Sequence, residues 1–146
     1  MLTTAFYLVA DWRTGVMRFA NAGHPKPLLV RRTTRQVQPL ANAAGRSEPA
    51  LGLFEDSPYQ TTEITIQPGD LLMLFTDGLY EVLGPNEELY SQERMMMDVQ
   101  NLLSKSNREL FDELLEAIRA FSVSHEFDDD VCLVGMEFAG KPAAKT

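Results

Sequence analysis

Two groups of carboxylates border apolar segments and could together hold a metal ion. Asp77 and Gly78 directly follow the apolar run Leu71–Thr76, whereas Asp128–Asp130 come just before the apolar segment 131–138. If both segments are neighbouring antiparallel strands, the end of one lies beside the start of the other. The acids would then meet at one edge of a sheet, and their oxygens are the ligands that hard divalent cations prefer.

Divalent cations at such a site could carry out phosphate chemistry. Two ions can bind a phosphate and lower the pKa of a bridging water, so that hydroxide becomes available near neutral pH. Gly78 would let the backbone approach the ion closely, because glycine has no Cβ. Two structural alternatives remain open, since Thr-Asp-Gly is a common turn and helix-start sequence and three successive Asp often form a solvated loop or a cap. A Ca²⁺ loop at Asp128–Asp130 is a third alternative, although the spaced D-x-[DN]-x-[DN]-G pattern is missing.

His24 is the third candidate and lies in the segment 21–27, NAGHPKP. An imidazole there could act as a general acid, contact a phosphate or bind a metal. The alternative is that Asn21, Gly23 and Pro25 build a particular turn and that His24 hydrogen-bonds the backbone. The chain has no G-x-S-x-G nucleophile elbow, no P-loop and no GxGxxG motif, so serine-hydrolase and nucleotide-binding chemistry is not indicated.

Composition excludes several classes of protein. The 146 residues are 45% hydrophobic, which suits one domain with a sizeable core, and the net charge of -8 argues against a nucleic-acid partner. The single cysteine, Cys132, excludes an internal disulfide and is expected to be an inert thiol in the core. No apolar run approaches the about 20 residues that span a bilayer, and no signal-peptide pattern is present. We therefore expect a cytoplasmic protein without a membrane partner in this segment.

The hydrophobic pattern predicts an α+β domain in which most strands precede the helices. Strands are predicted at Thr3–Ala10, 16–23, 27–32, around Val37, 62–66, Leu71–Thr76 and 131–138. The first two are predicted to form a hairpin around the turn residues 11–15, a tight Pro-Gly-Asp turn precedes Leu71, and the apolar run that follows fits a strand buried on both faces. One or two helical turns are predicted at 77–83, a helix at Ser91–Leu103, and a second helix behind a capping box at Ser106–Glu109. The second helix has an apolar face at helical spacing, formed by Leu110, Phe111, Leu114, Leu115, Ile118 and Phe121. This order favours antiparallel sheets. Residues 1–139 are predicted to form the domain and residues 140–146 a disordered tail.

Five segments in this order resemble the PPM-type serine/threonine phosphatases: TAFYLVAD, RFANAGHPKPLLV, LGLF, GDLLMLFTDGLYE and DDDVCLVGMEF. The similarity is to the bacterial branch typified by stage II sporulation protein E and by sigma-factor regulators of the RsbU kind. It extends over nearly all of Thr3–Phe138. The resemblance implies an α-β-β-α sandwich of mostly antiparallel sheets, with two Mn²⁺ or Mg²⁺ ions at one rim.

The resemblance also implies an activity and the residues that support it. The expected reaction is hydrolysis of phosphoserine or phosphothreonine on a regulatory protein, often an anti-sigma-factor antagonist, by a metal-activated water. Asp77 and Asp129 match the family's metal ligands, and Asp130 and Gly78 match less specifically. The resemblance assigns no catalytic side chain, and His24 stays a candidate for that role from the residues alone. An upstream sensory or response-regulator domain is an expected partner. The family often has Thr at the position of Cys132.

The main departure from the family lies at the N-terminal side. The first half of the family domain carries an Asp-x-x-Gly-His-Gly type motif whose Asp bridges the two metals, and this chain contains no such segment. We therefore expect the chain to be the C-terminal two-thirds of the domain, to lack the bridging ligand, and to be inactive alone. Uncovered apolar surface and a free sheet edge predict self-association into a homo-oligomer. The alternative function is a non-catalytic, phosphatase-like binding module in a signalling protein.

Overall fold

The structure is a computed structural model that describes residues 2–140, which form seven strands and two α-helices. The strands are β1 (Ala5–Asp11), β2 (Val16–Ala22), β3 (Leu28–Arg31), β4 (Gln36–Pro39), β5 (Thr62–Thr65), β6 (Leu71–Phe75) and β7 (Leu133–Glu137). The helices are α1 (Gln92–Asn101) and α2 (Asn107–Phe121), with short 3₁₀ turns at Asp77–Leu79 and Pro85–Glu87. Residues 141–146 of the tail that the sequence predicts to be disordered lie outside the described residues.

The first sheet contains three antiparallel strands in the order β1-β2-β5. Strands β1 and β2 form the predicted hairpin, and their pairing ends at Asp11 and Val16. Gly15 N donates to Asp11 O at 2.9 Å and closes the loop, while Arg13 N donates to the Asp11 carboxylate. That backbone hydrogen bond holds the pKa of Asp11 below its ordinary value. The predicted turn chemistry of this loop is therefore confirmed.

The second sheet contains four antiparallel strands in the order β4-β3-β6-β7. Its inner strand β6 is the apolar run that the sequence predicts to be buried on both faces, and four of its five residues are buried. Leu72 faces the first sheet, whereas Leu71, Met73 and Phe75 face the helices. An uninterrupted apolar segment is needed here because both faces of the strand are covered.

The buried apolar residues form two cores, one on each face of the second sheet. The core between the sheets contains Met17, Phe19, Leu29, Leu40, Ile66 and Leu72. The core under the helices includes Val30, Leu71, Met73, Phe75, Val99, Leu110, Leu114 and Ile118. Residues 2–140 thus supply an α-β-β arrangement of antiparallel sheets. Within this part of the chain no helix covers the outer face of the first sheet, where Tyr7 and Val9 are exposed.

Helix α2 begins at the predicted capping box. Ser106 Oγ accepts from Glu109 N at 3.3 Å, and Ser106 N donates to Glu109 Oε2 at 3.0 Å. The side chain of each residue thus accepts a hydrogen bond from the backbone N–H of the other, which fixes the first turn of the helix. The Ser106 donors hold the pKa of Glu109 below its ordinary value. The predicted apolar face is confirmed, since Leu110, Leu114 and Ile118 are fully buried.

One boundary differs from the sequence prediction. Only Asp77–Leu79 is helical within the predicted stretch 77–83, and the chain then runs back on itself, with Tyr90 N donating to Val82 O. Gly84 packs directly against the Phe121 ring, where a Cβ would lie 2.3 Å from a ring carbon. Tertiary packing against α2 therefore ends the helical turn early.

None of the helices formed by residues 2–140 is long and apolar enough to cross a lipid bilayer.

Asp70 belongs to a buried ion pair that joins the two sheets. Its side chain is 1% exposed, and Oδ2 accepts from Arg31 Nη1 at 3.0 Å and from Gln67 N at 2.9 Å. Arg31 ends β3 in the second sheet, and its Nη2 donates to Thr65 O at the end of β5 in the first sheet. The sequence pattern indicates only a tight Pro-Gly-Asp turn at this position, so the structural role of Asp70 is a finding of the structure.

Candidate functional site

The pairing of β6 with β7 brings two acidic segments to one rim. The two strands are antiparallel and their register ends at Phe75 opposite Leu133, which confirms the predicted arrangement. Beyond the register, Thr76 N donates to Cys132 O at 3.0 Å. The Thr76 hydroxyl donates to Asp130 O at 2.9 Å and accepts from Cys132 N at 2.9 Å. The Thr76 side chain therefore holds the two strand ends together and does not cap the turn that follows.

Gly78 packs directly against the segment that carries the second pair of acids. A Cβ at this position would lie 2.7 Å from Asp130 O and 3.3 Å from Asp129 Cβ. Real Cβ atoms do not approach a backbone oxygen so closely, and only glycine fits here without movement of the neighbouring chain. Asp77, the residue before Gly78, therefore lies at the same rim as Asp129. The close approach that the structure shows for Gly78 is to the Asp129–Asp130 backbone, and the approach to an ion stays a prediction.

The carboxylates of Asp77 and Asp129 are both available for a cation. Asp77 Oδ1 accepts from Gly78 N at 3.1 Å, and Asp129 Oδ1 accepts from Asp130 N at 2.7 Å. Both side chains are exposed, and neither forms an ion pair with a basic side chain of residues 2–140. Neighbouring carboxylates without a basic partner create a negative potential that favours a cation.

The carboxylates of Asp77 and Asp129 are ligands of the kind that a hard divalent cation prefers, but they are too few to fill its coordination sphere. Asp77 and Asp129 offer carboxylate oxygens, which suit Mg²⁺ and Mn²⁺, whereas Mg²⁺ requires six ligands in near-octahedral geometry. Within residues 2–140, no group of three or more His, Cys, Asp or Glu side chains is arranged to hold a metal ion. Asp128 and Asp130 are also exposed near this rim.

His24 lines the same groove as Asp77. The groove lies between the segment 23–26, the start of the 3₁₀ turn and the beginning of α1, and Thr76, Tyr80 and Gln92 also line it. The structure therefore brings together the two candidates that the sequence places more than fifty residues apart. His125, the other histidine, bonds Arg119 O with its ring and is absent from the groove's lining.

The segment around His24 is a rigid turn, as the structural alternative predicts. Asn21 Oδ1 accepts from His24 N and Asn21 Nδ2 donates to His24 O, both at 2.9 Å. Gly23 has a φ of +70°, and a Cβ there would lie 2.9 Å from Ala50 Cα. His24 Nδ1 lies 2.8 Å from Pro25 O, so Nδ1 is the protonated nitrogen in this arrangement. The neutral ring then has Nε2 free to accept a hydrogen bond.

Tyr80, Lys26 and Gln92 are groove residues that sequence reasoning missed. Burial raises the pKa of the Tyr80 hydroxyl, and the negative charges of Glu81 and Asp77 raise it further. Gln92 Nε2 donates to Lys26 O at 2.8 Å and ties the start of α1 to the segment of His24. Lys26 belongs to the segment NAGHPKP, which drew attention only for His24, and no local pattern connects it with Gln92.

The prediction for Cys132 is wrong. The sequence suggests a core thiol inside an apolar strand, but the strand begins one residue later, at Leu133, and Cys132 is exposed. Its backbone is held by Thr76 at the rim, where the two strands separate. The residue thus lies beside the acidic rim and not in the core.

Replacing Gly78 with Ala is expected to destabilise the protein by about 1–3 kcal/mol, the usual cost of overpacking. The added Cβ would meet Asp130 O, a backbone atom, and the Asp129 segment would have to move. Urea unfolding measures the loss of stability, and electron paramagnetic resonance of free Mn²⁺ measures the expected weakening of metal binding. Gly69→Ala is the control. Its φ of +86° is unfavourable for alanine, but no atom lies within 4 Å of the added Cβ, so this change can cost stability without pushing on the rim. Equal Mn²⁺ affinity of the two variants would contradict the prediction.

The comparison with protein families gives one description for almost the whole chain. Residues 1–139 match the family model of stage II sporulation protein E (SpoIIE). The chain is 26% identical over 131 residues to the phosphoserine phosphatase RsbP of Bacillus subtilis, which covers 90% of this chain and 30% of that protein. It is 25% identical over 134 residues to protein IcfG of Synechocystis sp., which covers 88% of this chain and 20% of that protein. The chain thus spans less than a third of these relatives.

The fold is similar to that of a solved phosphatase domain. The structure of the SpoIIE phosphatase domain from Bacillus subtilis, presoaked with manganese, superposes with a TM-score of 0.71 at 18% identity. The match covers 98% of this chain and 59% of that domain's chain. At this level of identity the likeness shows the fold, which agrees with the predicted sandwich of antiparallel sheets.

Proposed function

Because the chain belongs to the stage II sporulation protein E family, we propose that it forms the larger part of a metal-dependent serine/threonine protein phosphatase domain. The proposed reaction is hydrolysis of phosphoserine or phosphothreonine on a regulatory protein. The relative named as a phosphoserine phosphatase supports the reaction class. The proposed substrate is an anti-sigma-factor antagonist, and an upstream sensory or response-regulator domain is the proposed source of control.

The observation that carries this proposal is the shared rim of β6 and β7. Two features support the proposal: Asp77 follows one of these antiparallel strands and Asp129 precedes the other, and Gly78 packs against Asp129 and Asp130. In this proposal the two carboxylates hold Mn²⁺ or Mg²⁺, with Gly78 allowing the close approach of the two chains. A bound divalent cation supplies Lewis-acid activation of a water nucleophile and neutralises charge on the phosphate. Asp77 follows the buried strand β6, Asp129 precedes β7, and the bonds of Thr76 to Asp130 O and Cys132 N join the two segments, which restricts the positions of both carboxylates.

The groove beside the rim gives the substrate a defined place to bind. Thr76 holds the strand ends, and the Asn21 clamp fixes the segment of His24 on another side of the groove. His24 Nε2 is available to accept a proton or a hydrogen bond from a group bound there. A full two-ion site needs more ligands than two carboxylates provide. We propose that a further acidic ligand comes from a segment outside residues 2–140.

The test is Mn²⁺-dependent release of phosphate from a phosphoserine protein. It is run on this chain and on the longest form that the native reading frame encodes. Activity only in the longer form supports a metal site completed by another segment, and activity in this chain alone would contradict that part of the proposal. Absence of activity in both would overturn the phosphatase proposal and favour the non-catalytic binding module.

A further inference from the structure

Among the described residues that line the groove beside Asp77, Lys26 is the one lysine or arginine. The other ionisable side chains that line the groove are those of His24, Asp77 and Tyr80. Lys26 forms no ion pair with a carboxylate of residues 2–140, and the same holds for Arg32, Arg35, Arg46 and Arg119. Of these five cations only Lys26 lines the groove, so its charge is available there to an anion.

The backbone of Lys26 is held more firmly than that of an ordinary surface lysine. Pro25 and Pro27 flank it and restrict the backbone on both sides. Its carbonyl accepts from Gln92 Nε2 at 2.8 Å, and the next carbonyl, that of Pro27, accepts from Leu40 N at 2.8 Å. The side chain is half-buried. The ammonium group is therefore attached to a rigid base, and less freedom is lost when it binds a ligand.

We propose that Lys26 binds the phosphate group of the phosphoserine or phosphothreonine substrate in this groove. This inference rests on the proposed function, since it assigns a phosphate contact to the same site. A phosphate near Asp77 and Asp129 meets repulsion from both carboxylates, and an adjacent cation offsets part of it. An ammonium supplies a compact charge with three donors, which suits phosphate oxygens. Lys26 is thus a substrate-binding residue that acts beside the metal ligands.

The test uses inorganic phosphate as the probe and nuclear magnetic resonance of the ¹⁵N-labelled chain at a fixed Mg²⁺ concentration. The amides of residues 23–26 and the side-chain amide of Gln92 are expected to shift saturably. Lys26→Gln is expected to weaken phosphate binding about tenfold, the effect of losing one charge-assisted hydrogen bond. Lys26→Arg keeps the charge and is expected to bind within about threefold of the unchanged chain.

Arg108→Gln is the matched control, because it removes one positive charge from α2, outside the groove. Its phosphate affinity is expected to equal that of the unchanged chain. The inference is overturned if Lys26→Gln and Arg108→Gln bind phosphate equally well, or if the shifts lie away from residues 23–26.

Failure of this inference is distinguishable from failure of the proposed function. Phosphate release with an unchanged KM in Lys26→Gln would overturn the role of Lys26 and leave the phosphatase proposal in place. Saturable binding that depends on Lys26, without phosphate release by the longest native form, would overturn the phosphatase proposal and support the phosphate contact.

Discussion

Asp77→Asn is expected to lower Mn²⁺-dependent phosphate release by at least about 100-fold in the active form of the protein. The amide has the shape of the carboxylate, and its oxygen can still accept from Gly78 N. What it loses is the negative charge and the second oxygen, which a divalent cation requires. Phosphate release is measured together with urea unfolding, and the unfolding midpoint is expected to change little.

Matched variants separate the metal role from a general loss of charge. Asp129→Asn is expected to show the same loss as Asp77→Asn, because both carboxylates lie at the rim. Asp112→Asn removes an exposed carboxylate from α2, where it pairs with Arg108, and is expected to keep full activity. Full activity of Asp77→Asn would refute its assignment as a metal ligand, whatever the effect at Asp129.

The elements that place the rim could be predicted because their signals are local. The hairpin of β1 and β2 follows from alternating strand residues around Asp11–Gly15, and α2 follows from the capping box and its apolar face. The pairing of β6 with β7 was a condition of the metal hypothesis, and the structure fulfils it.

The groove could not be predicted, because it depends on contacts between distant segments. The hydrogen bond from Gln92 to Lys26 joins residues 66 positions apart, and no periodicity records it. Thr76 looked like a cap from its position before Asp77, yet its hydroxyl bonds to Asp130 O, 54 positions away. Cys132 looked buried because its neighbours are apolar, but strand pairing ends one residue short of it. Local sequence indicates the ends of elements, and packing decides what those ends contact.

Asp70→Ala is expected to destabilise the protein by about 3 kcal/mol, because it breaks a buried ion pair. This value is at the lower end of the usual cost, since the side chain of Arg31 is still 20% exposed. The change leaves the Arg31 guanidinium without its carboxylate and Gln67 N without its acceptor. Urea unfolding followed by circular dichroism measures the loss. Glu63→Ala is the control, since its pair with Arg18 is more than half exposed, and surface pairs contribute about 0–1 kcal/mol. A loss at Asp70 no larger than at Glu63 would contradict the prediction.

A double-mutant cycle distinguishes the ion pair from the rest of the Asp70 environment. Arg31→Met keeps the apolar stem but removes the donors to Asp70 and to Thr65 O, and it also costs stability because Asp70 then remains buried without its cation. If the pair is the main cause, the double variant loses much less than the sum of the two single losses. Additive losses would instead assign the effect of Asp70 to its bond with Gln67 N, within the turn.

The register explains why the pair forms, since Val30 lies opposite Leu71, so the next residues, Arg31 and Asp70, meet at the strand ends. From there the Arg31 side chain reaches Thr65 of the first sheet, so losing the pair is expected to loosen the contact between the two sheets.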